Sequence, residues 1–164
     1  MIIYIGADHK GFELKKIIKE QLKESGYEVR DLGNVVYDEN DDYPLFAKNV
    51  AEKVSQDFQN SRGILICGSG AGVDIVANKF PNIRSVLAMN IDQVSVTRAD
   101  DDTNVLSLPA DYLSTEQAKG IIGVWLSTPF SGGEKYKRRL KEIEKIELGL
   151  KWEIKQSLIA LFLL

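Results

Sequence analysis

The residues with the clearest capacity for chemistry lie in one central stretch of the chain. A short apolar run, Ile64–Ile66, is followed by the only cysteine, Cys67, and then by glycines at positions 68, 70 and 72. Glycines permit a sharp turn and let a ligand approach the main chain, because they carry no Cβ. The helical pattern that follows would direct its N-terminal N–H groups at that ligand. This arrangement favours an anion bound beside the thiol.

A thiol at such a turn has two interpretations. Helix N-termini stabilise thiolates, and a thiolate can act as a general base that removes a proton from a carbon next to a carbonyl. The N–H groups of Gly68, Ser69 and Gly70 would then hold the enediolate oxygen that forms. By contrast, most free cysteines are inert small hydrophobic residues in protein cores. Residue type favours the inert interpretation, and the position of Cys67 at the turn favours proton transfer.

The spacing of the glycines also suggests a dinucleotide-binding turn. However, Gly68-x-Gly70-x-Gly72 does not match G-x-G-x-x-G, and it follows the third predicted strand rather than the first. Even a perfect match would be a weak indication on its own. The glycines therefore give little support to NAD binding.

Further polar groups could join the cysteine. Asp8 and His9, the only histidine, lie in a loop that opens a helix and could receive a phosphate or a sugar hydroxyl. An acidic turn at residues 100–102 and a basic run at residues 135–139 are two more candidates. The basic side chains, which could contact phosphate, are Lys135, Lys137, Arg138 and Arg139. Each group also has an ordinary structural interpretation, since lone histidines are often structural and charge runs are usually solvated.

The periodicity of the chain predicts the elements that would position these residues. Apolar runs predict five strands, at residues 2–5, 27–32, 64–66, 84–89 and 104–108. Helical spacing predicts helices between them, a charged amphipathic helix near residues 136–146, and an apolar helical segment at residues 150–164. Alternating strands and helices predict parallel strands with right-handed crossovers. The predicted fold class is therefore α/β, a three-layer α/β/α sandwich with a five-stranded parallel Rossmann-like sheet.

The predicted fold also predicts where the site lies. Ligands bind doubly wound sheets at the carboxyl ends of the strands. We therefore expect one rim of the sheet to gather Asp8, His9, Cys67, Ser69 and Asp100. The polar loop at residues 33–43 is long enough to be functional as well.

Length and composition limit the class of protein. A chain of 164 residues predicts one domain, and 44% hydrophobic with 27% charged residues is ordinary for a soluble globular protein. A net charge of −3 argues against nucleic acid or an anionic membrane as the main partner. One cysteine cannot form an internal disulfide, and no zinc-ligand cluster is evident. With no signal peptide or membrane-length apolar run, we expect a cytoplasmic protein.

Several motifs together resemble a known family. They are Gly6-Ala7-Asp8-His9-Lys10-Gly11-Phe12, Ile66-Cys67-Gly68-Ser69-Gly70-Ala71-Gly72, Ala77-Asn78-Lys79, Asp102-Thr103-Asn104-Val105-Leu106 and Gly132-Gly133. In this order and at these separations, the chain resembles the type B ribose-5-phosphate isomerases, a family that includes the galactose-6-phosphate isomerase subunits. The resemblance covers residues 1–147. We therefore predict a sugar-phosphate isomerase domain at residues 1–147, with residues 148–164 as a C-terminal helical extension of the same domain.

The resemblance implies an aldose–ketose isomerisation that uses no metal or organic cofactor. It assigns Cys67 as the base that moves a proton between C2 and C1, and Ser69 to enediolate stabilisation. It places the substrate against Asp8, His9 and the turn formed by Gly68, Gly70, Ala71 and Gly72. The family also implies a homodimer or homotetramer in which subunits share active sites, with a sugar phosphate as the small-molecule partner.

The chain departs from the family pattern at charged positions. Asp100 stands where the family has a ring-opening histidine, Asp101 stands where it has an asparagine, and Asp111 stands where it has an arginine. The family's two later arginines match Lys135 and Arg139, or Glu134 and Arg138, depending on the alignment. A carboxylate at Asp100 can take the anomeric proton, but carboxylates at 101 and 111 would repel a phosphate unless they point away or are paired.

These departures leave the substrate open. Interconversion of ribose 5-phosphate and ribulose 5-phosphate is the leading hypothesis. A second is isomerisation of another sugar, either a hexose 6-phosphate or an unphosphorylated aldose. A third is a non-catalytic protein that binds a sugar phosphate and has lost the ring-opening machinery.

Overall fold

The computed structural model describes the backbone of residues 1–162 and the side chains of residues 1–149. Its centre is a five-stranded parallel sheet with the strand order β2-β1-β3-β5-β4. The strands are β1 (Ile2–Ala7), β2 (Glu28–Asp31), β3 (Ser61–Cys67), β4 (Ser85–Leu87) and β5 (Val105–Pro109). The helices are α1 (Phe12–Glu24), α2 (Tyr43–Gln56), α3 (Ala71–Ala77), α4 (Ile91–Asp101), α5 (Thr115–Ser127) and α6 (Glu134–Phe162). The predicted α/β class with a five-stranded parallel sheet is confirmed.

Alternate residues of the central strands bury their side chains in two separate apolar layers. Ile64 and Ile66 of β3 face a layer that contains Ile18, Leu22 and Trp125, whereas Leu65 and Cys67 face a layer built from α2 and α3. The period of two along a strand explains this division, because successive side chains point to opposite faces. Helices therefore cover both faces of the sheet, which is the three-layer sandwich.

Local signals place most element boundaries close to where they were predicted. Ser114 caps α5 and forms a capping box with Gln117, which fits the Ser-x-x-Gln spacing in the sequence. Helix α3 begins at Ala71, two residues before Val73, where the apolar helical pattern begins, because Gly70 caps it in a left-handed conformation with φ of 71°. The turn that follows Cys67 is therefore shorter than expected.

The chain divides into two compact units, Met1–Phe130 and Ser131–Leu164. The first unit holds the sheet and α1–α5. The second holds α6, which runs without a break through residue 147 to Phe162, so the two predicted C-terminal helical segments form one helix. Residues 163–164, and the apolar side chains predicted for residues 150–164, lie outside what the structure describes.

Within the described residues, no helix is both long enough and apolar enough to cross a bilayer. The same part of the chain holds no cluster of three or more histidine, cysteine, aspartate or glutamate side chains suited to a metal ion.

Candidate active site

The thiol of Cys67 lies at the carboxyl end of the middle strand. Cys67 is the last residue of β3, pairs with Pro109 of β5, and is 4% exposed. Its side chain belongs to the apolar layer that also contains Tyr4 and Val73. The residue thus packs in the core and also ends a strand at the edge where parallel sheets bind ligands. The burial of Cys67 fits an inert core residue, and its place at the end of the strand fits a base that transfers protons.

The turn after Cys67 presents main-chain donors. Ser69 is exposed, and its hydroxyl accepts only a long 3.4 Å hydrogen bond from the N–H of Ala71. No acceptor for the N–H of Ser69 or Gly70 is found among the described residues. Free donors beside a thiol are the arrangement that an enediolate oxygen requires. The structure thus places the thiol and these donors next to each other in the chain and at the same end of the sheet.

Two glycines of the turn have side chains close to the place where a Cβ would lie. A Cβ on Gly68 would lie 2.7 Å from the Asp111 carboxylate, and a Cβ on Gly72 would lie 2.6 Å from the Tyr43 ring. Each distance is shorter than real Cβ contacts, so a larger residue at either position would have to displace the Asp111 or Tyr43 side chain. Tyr43, which precedes the turn in sequence, and Asp111, which follows it, therefore both lie against the turn.

The Asp8–Gly11 loop packs directly against the end of β3. The N–H of Asp8 donates to the carbonyl of Ile66 at 3.3 Å, and a Cβ on Gly11 would lie 2.7 Å from the same oxygen. Asp8 is 5% exposed and accepts a 3.1 Å hydrogen bond from the N–H of Gly11. Burial raises the pKa of the Asp8 carboxyl above its usual value, against the opposing effect of that hydrogen bond. The structure thus packs the loop that carries Asp8 against the end of the strand that carries Cys67.

His9 is held by a residue that the sequence did not single out. Asp41 Oδ1 accepts from the His9 main-chain N–H at 2.8 Å and lies 2.9 Å from His9 Nδ1. The hydrogen bond to Asp41 raises the pKa of His9, and the nearby Asp8 charge adds to the rise. Asp41 sits in the acidic run 38–42, where one functional carboxylate cannot be distinguished from its neighbours by pattern alone.

Lys10 is a second residue that sequence reasoning missed. Its Nζ lies 3.8 Å from Asp111 Oδ1, and its Cγ would lie 3.5 Å from a Cβ on Gly68. Both members of the pair are about half exposed, so water screens their attraction. The Asp111 carboxylate is nevertheless paired with a cation at the mouth of the turn.

The expected position of Asp100 is wrong. Helix α4 ends at Asp101 and β5 begins at Val105, so Asp100 precedes the amino end of β5. Val105 pairs with Gly63 and Pro109 pairs with Cys67, which places the two ends about 13 Å apart along the strands. In a parallel sheet, a turn that leads from a helix into a strand lies at the amino ends of the strands. A loop that leads from a strand into a helix lies at their carboxyl ends. Asp100 and the exposed Asp101 are therefore at the opposite edge of the sheet from Cys67 within one chain.

The predicted phosphate contacts lie in the second compact unit. Lys135, Arg138 and Arg139 occupy the first two turns of α6. Lys135 Nζ lies 4.5 Å from the centre of the neighbouring Tyr136 ring. These cations follow Gly132, whose left-handed conformation, with a φ of 67°, forms a turn before the helix.

Comparison with known proteins shows which chains this one is similar to. A family model described as Ribose/Galactose Isomerase matches residues 3–143. The ribose-5-phosphate isomerase B of Escherichia coli (strain K12) is 40% identical over 145 residues, which span 88% of this chain and 95% of that protein. The probable ribose-5-phosphate isomerase B of Mycoplasma genitalium is 39% identical over 145 residues, which again span 88% of this chain and 95% of that protein.

Solved structures are similar over the same region. The Mycoplasma genitalium ribose-5-phosphate isomerase B with bound ribulose-5-phosphate superposes with a TM-score of 0.87 and 39% identity, covering 89% of this chain and 95% of that one. The Clostridium thermocellum ribose-5-phosphate isomerase B gives a TM-score of 0.86 at 39% identity, with 92% and 99% covered. Fold, site motifs and relatives therefore agree, and the chain belongs to the ribose/galactose isomerase family.

Proposed function

We propose that this chain is an aldose–ketose isomerase that interconverts ribose 5-phosphate and ribulose 5-phosphate through an enediolate. The observation that carries the proposal is the Cys67 thiol at the carboxyl end of β3, followed by a turn with free N–H groups at Ser69 and Gly70. A base next to preformed oxyanion donors is what proton transfer beside a carbonyl needs. The relatives named ribose-5-phosphate isomerase B support the choice of sugar.

The proposed reaction moves one proton between neighbouring carbons. The thiolate of Cys67 removes the proton from C2 of the open-chain aldose, and the electron pair moves to give an enediolate across C1 and C2. The N–H groups of the turn and the hydroxyl of Ser69 hold the developing negative charge. Return of the proton to C1, with a proton shift between the two oxygens, gives the ketose. Asp8 and His9 hold the sugar beside the turn.

Ring opening comes from a second copy of the chain in this proposal. Asp100 is the carboxylate that takes the anomeric proton, yet it lies at the opposite sheet edge from its own Cys67. A homodimer, or a homotetramer built from such dimers, can bring one chain's Asp100 to the other chain's Cys67. Exposed apolar side chains on α3 and α4, such as Ile75 at 59% and Val96 at 57%, support such an association.

The phosphate contacts follow from the basic start of α6. Lys135, Arg138 and Arg139 supply the positive charge for the phosphate. Asp101, which lies beside Asp100, contacts a sugar hydroxyl from the second chain in this proposal. A metabolic sugar phosphate as substrate also fits the expected cytoplasmic location, which remains a prediction.

One observation favours a different sugar. The Asp111 carboxylate lies against Gly68 beside the turn, where it would repel a phosphate dianion and could instead accept from sugar hydroxyls. Its pairing with Lys10 is loose and half exposed. A hexose 6-phosphate or an unphosphorylated aldose is therefore the second candidate substrate. A protein that binds sugar phosphates without catalysis is the third.

A substrate comparison in deuterated buffer decides between these candidates. Turnover of ribose 5-phosphate, allose 6-phosphate and free ribose should show a clear preference for ribose 5-phosphate, with deuterium incorporated at the migrating position. A Cys67→Ala variant assayed in parallel should lose about 10²-fold or more in kcat, since positioned bases contribute about that much. Preference for another sugar would replace the substrate, and binding without deuterium uptake would replace the enzyme by a binding protein.

A further inference from the structure

The only imidazole of the chain is fixed by a carboxylate from a distant loop. Asp41 contacts His9 twice through one oxygen, at 2.8 Å to the main-chain N–H and 2.9 Å to Nδ1. Its side chain is 5% exposed, while that of His9 is 28% exposed. The pair therefore joins a buried carboxylate to a solvent-accessible ring beside Asp8.

Asp41 is itself held in place by two further residues. Its second oxygen, Oδ2, accepts a 3.0 Å hydrogen bond from Asn34 Nδ2. The carbonyl of Asn34 accepts a 2.6 Å hydrogen bond from Nζ of Lys15, a lysine that is only 1% exposed. Both oxygens of Asp41 thus accept hydrogen bonds, and the contacts continue through Asn34 to Lys15 on the core-facing side of helix α1. A carboxylate used only to neutralise surface charge would not need this support.

We propose that Asp41 is a positioning residue that holds His9 with its Nδ1 hydrogen directed at the carboxylate and its Nε2 left for the substrate. This inference rests on the proposed function, in which His9 binds the sugar. An acceptor at Nδ1 selects the tautomer in which Nδ1 carries the hydrogen, because a neutral imidazole has one donor and one acceptor. Among the described residues, Nε2 has no hydrogen-bond partner, so it is the ring atom that remains for a ligand.

The same logic governs oriented histidines in other enzymes. A third group that holds the imidazole removes its rotational freedom and leaves one nitrogen aimed at the reacting molecule. The charged groups that act on His9 are Asp41 from the loop and Asp8 from the end of β1. Asp41 is the one that touches the ring, so its removal should change both the tautomer and the orientation.

The presence of one histidine makes the test direct. Nitrogen-15 NMR of the wild-type chain, at a pH high enough to deprotonate the ring, should show the neutral His9 ring with hydrogen on Nδ1. In Asp41→Ala the neutral ring should change to hydrogen on Nε2, the form preferred without an acceptor at Nδ1. The same variant should lose about tenfold in kcat/KM for ribose 5-phosphate, since one hydrogen bond to a charged group has about that effect.

Two further variants keep the test decisive. Asp41→Asn retains an acceptor oxygen, so it should keep the Nδ1 hydrogen and rescue part of the activity while lowering the His9 pKa relative to wild type. Asp42→Asn is the matched control, because it makes the same charge change at the next, exposed residue and should alter neither signal nor kcat/KM. This pair decides the proposal even if Asp41→Ala does not fold.

Different outcomes overturn different statements. An unchanged tautomer in Asp41→Ala, an unchanged His9 pKa in Asp41→Asn, or a changed tautomer with full activity would each refute the positioning role. Equal losses in Asp42→Asn would also refute it, because they would reflect loop charge in general. A wild-type chain that shows the Nδ1 hydrogen but isomerises no sugar phosphate would refute the proposed function, while the hold of Asp41 on His9 would stand.

Discussion

At the scale of single residues, the site combines a buried base with charged groups at its mouth. Cys67 is 4% exposed, whereas Lys10 and Asp111 are each about half exposed. Burial fixes the position of the thiol, whereas the exposed charges of Lys10 and Asp111 attract or repel an arriving charged ligand. The Asp111 carboxylate, held against Gly68, is the feature least suited to a phosphate.

Neutralising Asp111 tests how its charge affects the substrate. We expect Asp111→Asn to lower KM for ribose 5-phosphate by about two- to tenfold, because it removes a repulsive charge and frees Lys10 from its partner. KM for free ribose should stay unchanged, since that sugar carries no charge. Steady-state kinetics at low and high salt would measure both, and the gain should shrink as salt screens the charge.

Asp57→Asn serves as the control for Asp111→Asn. It makes the same change at an exposed residue that precedes the amino end of β3, away from the turn. An increase in KM in Asp111→Asn would show that the carboxylate accepts from the sugar, which favours the alternative substrates.

At the scale of elements, helix α1 carries a lysine on its core-facing side. Its buried residues are Phe12, Lys15, Ile18 and Leu22. Lys15 Nζ donates to Asp31 Oδ1 at 3.0 Å and to the Asn34 carbonyl at 2.6 Å, which ties α1 to β2 and to the loop that carries Asp41. Lys19 donates to the other Asp31 oxygen at 2.8 Å. The polar contact thus links the packing of a helix to the geometry of the site.

Removing this contact should destabilise the fold. We expect Lys15→Met to lower the free energy of unfolding by about 1–3 kcal/mol at pH 7, less than a fully buried broken pair because Asp31 keeps Lys19. Lys16→Met is the matched control, since Lys16 is exposed and its contacts, an ion pair with Glu13 and a cation–π contact with Phe12, lie within the same helix. That variant should change stability by less than about 0.5 kcal/mol. Urea unfolding would measure both, and equal effects would contradict the structural role of Lys15.

The effect of Lys15→Met should also depend on pH. Burial raises the pKa of Asp31, but the hydrogen bonds from Lys19 and Lys15 outweigh it, so the pKa lies below its usual value. A lowered folded-state pKa gives stability that is present above the unfolded value of about 4 and is lost as pH falls through the folded value. The difference between wild type and Lys15→Met should therefore shrink in acid.

At the scale of the whole molecule, the two proposed acid–base residues lie on opposite edges of one sheet. Cys67 ends β3, while Asp100 precedes β5 at the other edge. The paired strands keep these two ends about 13 Å apart, so a single chain does not bring both residues to the same sugar. Catalysis by both residues therefore requires two chains.

Mixing two inactive variants tests this sharing. Cys67→Ala and Asp100→Asn homodimers should each have low activity, and mixed dimers should each regain one intact site. Random pairing makes about half of the dimers mixed, so the mixture should reach about a quarter of wild-type activity. Refolding the two chains together and comparing them with chains refolded separately measures the gain. A mixture no more active than its separate components would show that the chains do not share sites.

Much of the fold and the centre of the site could be predicted from the sequence. Apolar periods of two and about 3.6 specified the five strands and the helices, because burial on one face leaves a pattern in the order of residues. The Cys67 turn was evident because the only cysteine follows a short apolar run and precedes three glycines at alternate positions. The boundaries were less certain, as the earlier start of α3 shows, since a left-handed cap depends on a single dihedral angle.

Tertiary structure alone decided which polar groups meet. His9 and Asp41 are 32 residues apart, and nothing in the run 38–42 marks the one carboxylate that reaches the ring. Lys15 interrupts an apolar pattern, and only the position of Asp31 explains its burial. The placement of Asp100 followed from the direction of the strands, which sends helix-to-strand turns to the amino edge. The sequence by itself therefore determined the fold and the Cys67 turn through local patterns, whereas the partners of His9 and the edge that carries Asp100 depend on how the strands and loops pack in space.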